Sequence, residues 1–431
     1  MDSGNTAYVL VSAALVMLMI PGLAFFYSGM VRAKNVLATA LQSFFALAIV
    51  SVLWVLIGFS LAFGTDMGGL IGGFNFVGFN GVGAEPNPDF SATIPFLAFA
   101  VFQLMFAAIT PALITGAFAE RMKFGAFALF TALWLVIVYA PLAHWVWAPG
   151  GWIREMGALD FAGGTVVHIS AGVAALAAAI VIGKRSGIKK PSITPHNLPF
   201  TMLGAGLLWF GWYGFNAGSA LAADGLAATA AVTTTVATGG AMLGWALVDW
   251  LRHRRVTALG AVSGVVAGLV AITPAAGFVS PLSAIAIGVI AGILCAYAVG
   301  LKSKFGYDDA LDVVGVHAVG GIVGALLIGI LADTAVNPAG ADGLLFGGGL
   351  TLLGYQIVAV GAAIAFAFTA SWLLLKAIDK TIGLRVSPDD EIMGLDKGLH
   401  DEDGYVFAEP VTEEGTAITV VSKKKKSHKR K

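Results

Sequence analysis

Two histidines sit inside long apolar runs with matching surroundings. His168 lies in Gly-Thr-Val-Val-His-Ile-Ser-Ala-Gly (164–172) and His317 in Val-Val-Gly-Val-His-Ala-Val-Gly-Gly (313–321). An ionisable ring at bilayer depth is costly, so it marks a substrate or proton path. Imidazole titrates closest to neutrality, which suits it to passing a proton. One such ring is equally well explained as a core hydrogen-bonding group. Two in equivalent positions favour function.

Other candidates fit around them. Phe102, Phe106, Trp147, Trp212 and Phe215 offer aromatic faces, and Ser219 a hydroxyl. Asp160, Asp249 and Asp312 fall near the ends of apolar runs, leaving no mid-run carboxylate to cage Na⁺ or drive a proton antiport. A bare K⁺ would lose its hydration for little return, since rings of carbonyls or carboxylates normally replace it. A cation that can shed its proton avoids this penalty, and ammonium is the small biological ion of that kind. Aromatic faces can hold it by cation–π attraction, and histidines can carry or orient its proton. This chemistry also leaves room for water or a small neutral solute. Two histidines without a third ligand make a poor zinc site, and no cofactor or nucleophile–base pair is indicated.

These residues must be positioned by membrane helices. Of the 431 residues 58% are hydrophobic and 12% charged, whereas a soluble domain carries about 25% charge. The chain is therefore an all-α membrane protein. Its one cysteine, Cys295, excludes a disulfide framework or redox pair within one chain. Residues 1–6 lack the basic region of a secretory leader, so the first apolar run reads as a retained helix. Runs of membrane length fall at 7–30, 36–63, 95–118, 124–147, 162–183, 199–220, 225–250, 257–278, 282–301, 311–332 and 346–377. Eleven spans result, the last long enough to tilt or project. Arg32 and Lys34, Arg121 and Lys123, Lys184 to Lys190, Arg252 to Arg255, and Lys302 and Lys304 follow odd-numbered spans. By the positive-inside rule the N-terminus is outside and the C-terminus cytoplasmic, with Arg154 the exception.

The chain carries a duplication. Thr110-Pro111-Ala112 in span three recurs as Thr273-Pro274-Ala275 in span eight, and His168 in span five as His317 in span ten, 317 − 168 = 149 residues later. Five is odd, so two five-helix repeats are inverted, with a site near the midplane, and a long eleventh helix follows. At 1.5 Å per residue His168 lies roughly 12 Å in from Asp160, and His317 roughly 8 Å in from Asp312. Both depths approach the middle of a core about 30 Å thick, where the rings can meet. Asp160 reads as a helix cap, Asp312 as a cap or an anchor of the tenth span, and Gly320 with Gly324 as a packing pair.

Several blocks resemble the ammonium transporter (Amt/Mep/Rh) family, its bacterial and archaeal Amt branch in particular. They are Pro21 to Gly29, Phe102 to Ala108, Gly157 to His168, Gly211 to Ser219 and Asp312 to His317. The resemblance runs over nearly the whole chain. It implies a homotrimer in the cell membrane with one pore per subunit, carrying ammonium or its analogue methylammonium. Phe106 and Phe215 would gate the pore. Trp147, with Phe106 and Ser219, would recruit ammonium, and His168 and His317 would share a proton below the gate. Asp160 matches a residue that orients the recruitment region, while Trp212 and Thr273 support it. Trp145 stands two residues from Trp147, where the family usually has a glycine run following the tryptophan. A sensor that signals through its tail is the rival reading.

Residues 1–379 form the expected membrane domain and 380–431 a polar tail. Gly383 to His400 resembles the family's cytoplasmic tail, which couples subunits and in many members meets PII-type nitrogen-signalling proteins. Here His400-Asp401-Glu402 replaces the usual His-Gly-Glu. The basic end, 423–431, reads as a solvated segment that anionic lipid could attract, with nucleic-acid binding disfavoured.

Overall fold

The computed structural model describes residues 1–187 and 193–406. Lys189 and Lys190 of the third basic connection, and the basic end 423–431, lie outside the described residues. Nine helices among those described are long and apolar enough to cross a membrane. In chain order they are α1 (Ser3–Met30), α2 (Ala33–Phe63), α3 (Phe96–Phe118), α4 (Phe124–Met156), α5 (Gly164–Ile182), α7 (Gly225–His253), α9 (Pro281–Phe305), α10 (Val314–Leu331) and α11 (Thr351–Thr381). Two more occupy the sixth and eighth places, α6 (Leu198–Asn216) and α8 (Ala258–Ile272). α8 is short because the chain turns at Thr273-Pro274, whereas the matching Thr110-Pro111 stays inside α3. Only isolated bridges, no strands, occur among the described residues.

Helix starts are set by small polar caps. Asp2, Asn197, Asp224, Thr257 and Ser280 each accept a backbone N–H from the first turn of the helix they open. Packing then repeats with a period of five helices. α1 and α2 both pack on α3, as α6 and α7 pack on α8; α3 packs on α5 as α8 does on α10. The halves meet where α1 lies along α6 and where α5 crosses α10.

One end of the bundle is tied by buried ions. Glu120 meets the Arg32 guanidinium at 2.8 Å and that of Arg185 at 3.4 Å, while Arg185 pairs with Asp308 at 2.9 Å. Arg121 is fully buried and donates to the carbonyls of Ala119, Gly183 and Asp308. Four connections are thereby held together. Onto the same end folds the tail, through α12 (Pro388–Met393) and α13 (Leu395–His400). Asp396 accepts from the N–H groups of Leu37 and Ala38, capping α2 from a distance. Glu391 receives Arg385 at 2.7 Å and the Ser186 N–H, and Lys34 reaches the carbonyls of Glu391 and Ile392.

Candidate functional site

α5 begins only at Gly164 and α10 only at Val314. Each histidine therefore stands about one turn inside its helix, not near the middle as the apolar runs imply. Irregular backbone precedes both helices; at membrane depth this is tolerated where protein surrounds it or a cavity is lined. Both rings fall in wide π-turns, Gly164–Ile169 and Val314–Ala318, a geometry frequent at functional sites.

Their approach depends on small residues. A Cβ on Gly172 would lie 2.2 Å from the Ala318 nitrogen, so only glycine lets α5 and α10 cross this closely. Across that contact Nδ1 of His168 and Nδ1 of His317 are 3.3 Å apart. One nitrogen must donate and the other accept, so the contact holds a single proton between two rings. Both rings are buried, and Nε2 of His168 has no partner among the described residues. Beside them is a cavity of about 10 Å³, bounded by Leu208, Trp212, Phe215 and Val266. That is room for roughly one water-sized molecule.

Two rings tilted by 35° stand beside the cavity, Phe215 lining it and Phe106 next to Phe215. Phe106 and Phe215 have centroids 4.2 Å apart, and both are buried. Phe215 lies 5.9 Å from the His168 ring, and Trp212 stacks on it at 5.4 Å. The Trp212 indole donates to Thr273 Oγ1 at 2.8 Å. Thr273 is thus fully buried and braces Trp212 from behind.

Beyond Phe106 and Phe215 a cavity of about 200 Å³ opens, lined in part by Trp147, Ser219, Gln103 and Asp89. Trp147 meets Phe106 edge-on at 6.0 Å. Trp145 points elsewhere, packing on Phe366 and donating to the Leu70 carbonyl. Ser219 donates its hydroxyl proton to the Phe215 carbonyl, leaving its lone pairs to accept.

Asp160 binds these parts together. Its carboxylate accepts from the N–H groups of Gly163, Gly164, Thr165 and Val166, and its carbonyl from the Trp147 indole. Burial raises its carboxyl pKa, against the pull of those N–H groups. The counterpart at α10 is not Asp312, whose carboxylate pairs with Lys302 at 2.6 Å. It is Asp309, which accepts the Val314 N–H at 2.7 Å. The spacing 309 − 160 = 149 repeats that of the histidines, a signal present in the sequence but unread there. Burial, with Asp312 close by, pushes the Asp309 carboxyl up to about 6. Gln103 and the carboxylate partners of the basic connections also escaped the sequence reading. No group of three or more metal-ligating side chains occurs among the described residues.

Residues 7–405 match a family model described as the Ammonium Transporter Family. An ammonium transporter of Bacillus subtilis (strain 168) is 52% identical over 406 residues, 94% of this chain and 99% of that protein. Among solved structures, Mep2 of Saccharomyces cerevisiae superposes with a TM-score of 0.84 at 38% identity, covering 90% of this chain and 88% of that one. A protein described as a sensor Amt protein has a TM-score of 0.84 at 34% identity, covering 91% and 97%.

Proposed function

The chain belongs to the ammonium transporter family, and from that premise we propose that it recruits NH₄⁺, removes a proton near a two-ring gate and passes NH₃ along the twin histidines. The observation that carries this reading is the Nδ1-to-Nδ1 contact of His168 and His317 beside a cavity of single-molecule size. Carrying a bare ion through such a space costs several to tens of kcal/mol. Stripping a proton costs only about 1.4 kcal/mol for each unit by which the cation's pKa exceeds the ambient pH. The neutral species is the cheaper passenger. In this reading Trp147, Phe106 and Ser219 recruit the cation, Phe106 and Phe215 gate it, and Asp160, Trp212 and Thr273 hold those groups in place.

The bundle is a multi-pass membrane protein, read here as eleven spans with its basic end and C-terminus in the cytoplasm of a plasma-membrane homotrimer. Residues 1–379 form the transport unit and 380–431 a cytoplasmic tail that a PII-type protein could reach. Likeness to a sensor Amt protein supports a second reading, in which the same bundle binds ammonium and signals through its tail. Proteoliposomes separate the two. Saturable uptake of labelled methylammonium, competed by ammonium and not by K⁺, is expected. Binding without uptake would favour the sensor, and competition by K⁺ would overturn both.

A further inference from the structure

The duplication builds two equivalent seats on the bundle, and α11 fills one of them. The last turns of α4 and α9, Trp152–Met156 and Leu301–Phe305, lie 301 − 152 = 149 residues apart. Each is closed by a left-handed glycine, Gly157 and Gly306. At the first seat the Tyr355 ring stands 3.3 Å from where a Cβ on Gly157 would lie, and Leu353 packs on Gly329. Gln356 donates to the carbonyls of Leu159 and Ala325 and accepts the Leu159 N–H. The repeat carries Gly157, Ala325 and Gly329 onto Gly306, Leu176 and Ile180, since 306 − 157, 325 − 176 and 329 − 180 are each 149. Those three residues line a groove of about 690 Å³ between α5, α9 and α10. The second seat is built but not covered by the chain.

Its walls call for an apolar chain with an anionic end. Ile180, Leu301 and Phe305 are 51%, 40% and 69% exposed and form an apolar lip. A groove that faces hydrocarbon loses dispersion contacts unless something fills it, and about 300–1,000 Å³ is enough to bury a drug-sized ligand. A second helix is not required. In the filled seat Gln356 answers the Leu159 carbonyl, but the equivalent carbonyl, that of Asp308, already accepts from the buried Arg121. At the mouth Lys184 is exposed and its Nζ lies 3.7 Å from where a Cβ on Gly306 would stand. Asp308 also lines the groove, yet both its carboxylate oxygens take the Arg185 guanidinium. Lys184 meets no carboxylate among the described residues, nor does Lys304, exposed two residues before Gly306. The mouth therefore carries free positive charge.

We propose that this groove is a phospholipid-binding site, taking an acyl chain of an anionic glycerophospholipid along α10 with its phosphate at Lys184. Basic pockets between membrane helices are a setting in which anionic headgroups are held. The lipid stands where the repeat has no counterpart of α11. Val314 and Gly315, in the π-turn that carries His317, are buried and line the groove, so the bound chain also braces that turn. The site depends on neither the transport nor the sensor reading, only on a bundle embedded in lipid.

Native mass spectrometry of the delipidated full-length protein tests this, with phosphatidylglycerol and phosphatidylcholine of identical chains as probes. Wild type should hold its tightest phosphatidylglycerol more firmly than phosphatidylcholine. Lys184→Ser should weaken that phosphatidylglycerol about fivefold, the effect of one lysine near an anionic headgroup, and leave phosphatidylcholine unchanged. Ile180→Trp, which fills the groove from its lip, should remove one tightly held lipid per chain of either kind. Should that variant fail to fold, Leu301→Trp must do the same from α9. Unchanged phosphatidylglycerol binding in Lys184→Ser, or a full complement of lipid in the tryptophan variant that folds, overturns the site. So does a polypeptide that stays on wild type through delipidation and is lost from the tryptophan variant, which would make the seat one for a helix.

Discussion

At the residue scale the site is a row of buried groups, each held by one or two neighbours. Thr273 shows how little redundancy there is: among the described residues it alone accepts the Trp212 indole N–H, and Trp212 stacks on His168. Thr273→Val should cost about 1–3 kcal/mol through the orphaned indole, and calorimetry on the detergent-solubilised protein would show it; an unchanged melting temperature would mean that Trp212 is held by packing alone. Asp309 gives a pH signature. Its carboxyl titrates near 3.8 when free and at about 6 in the folded chain, so within that window the folded state binds the proton more tightly. Its contribution to stability is full below the window, declines as pH rises through it and is gone above. Asp309→Asn still accepts the Val314 N–H but does not titrate. The variant should therefore gain on wild type by up to about 3 kcal/mol between pH 4 and 6, and parallel pH profiles would contradict the assignment. The histidines were legible because ionisable groups in an apolar run stand out, whereas Phe106 and Phe215 were singled out as gates only through the family resemblance. Asp309 was not legible, because an acidic residue ahead of a span looks like any connecting charge until its carboxylate is seen to cap the helix that follows.

At the element scale the decisive feature is where α5 and α10 begin. Hydropathy sees an apolar run from 162 or 311, but it cannot see where the backbone becomes helical. That point is set by carboxylates reaching forward to cap, Asp160 onto 163–166 and Asp309 onto Val314. Placing His317 by counting from Asp312 therefore used the wrong anchor. The crossing of the two helices is tight enough to test by volume. Gly172→Ala should destabilise by about 1–3 kcal/mol as the added methyl meets the Ala318 backbone, and transport should fall as the histidines are pushed apart; normal stability and transport would show that the crossing can slide. Gly324, whose Cβ would lie 2.0 Å from the Ala271 carbonyl, is the close contact of its pair, with Gly320 looser. In the tail, Asp401 closes α13 at φ 53°, the left-handed region. The aspartate thus adopts the conformation a glycine would take, at a cost of roughly 1 kcal/mol. Asp401→Gly should recover about that much and slow proteolysis of the tail; faster cleavage would show that the Lys397–Asp401 ion pair matters more.

At the scale of the whole molecule, duplication organises everything. Helix contacts repeat across the halves, and 149 residues separate both the histidines and their capping aspartates. The repeat was legible in two short matches because the two halves bring their histidines together at one place. What stayed hidden was the second use of the basic connections. In sequence Arg32, Arg121 and Arg185 read as orientation signals; in the fold Glu120 and Asp308, from distant connections, hold them in one buried network. The flanking arginines keep both carboxyls below the usual carboxylate range despite burial. Arg185→Ala leaves two buried carboxylates short of a partner and should cost about 3–5 kcal/mol, with tail contacts loosened along with the connections; a loss under 1 kcal/mol would contradict this view of the network.

The claim on which all of this rests is that His168 and His317 make the pore a path for ammonium-derived species and not for cations at large. It is tested most directly on a solid-supported membrane bearing the reconstituted protein, by comparing currents after ammonium and K⁺ jumps in wild type, His168→Ala and His317→Ala. Wild type should give an ammonium current that K⁺ does not reproduce, and each variant should lose that current or admit K⁺ as well. Wild-type selectivity and amplitude retained in both variants would contradict it.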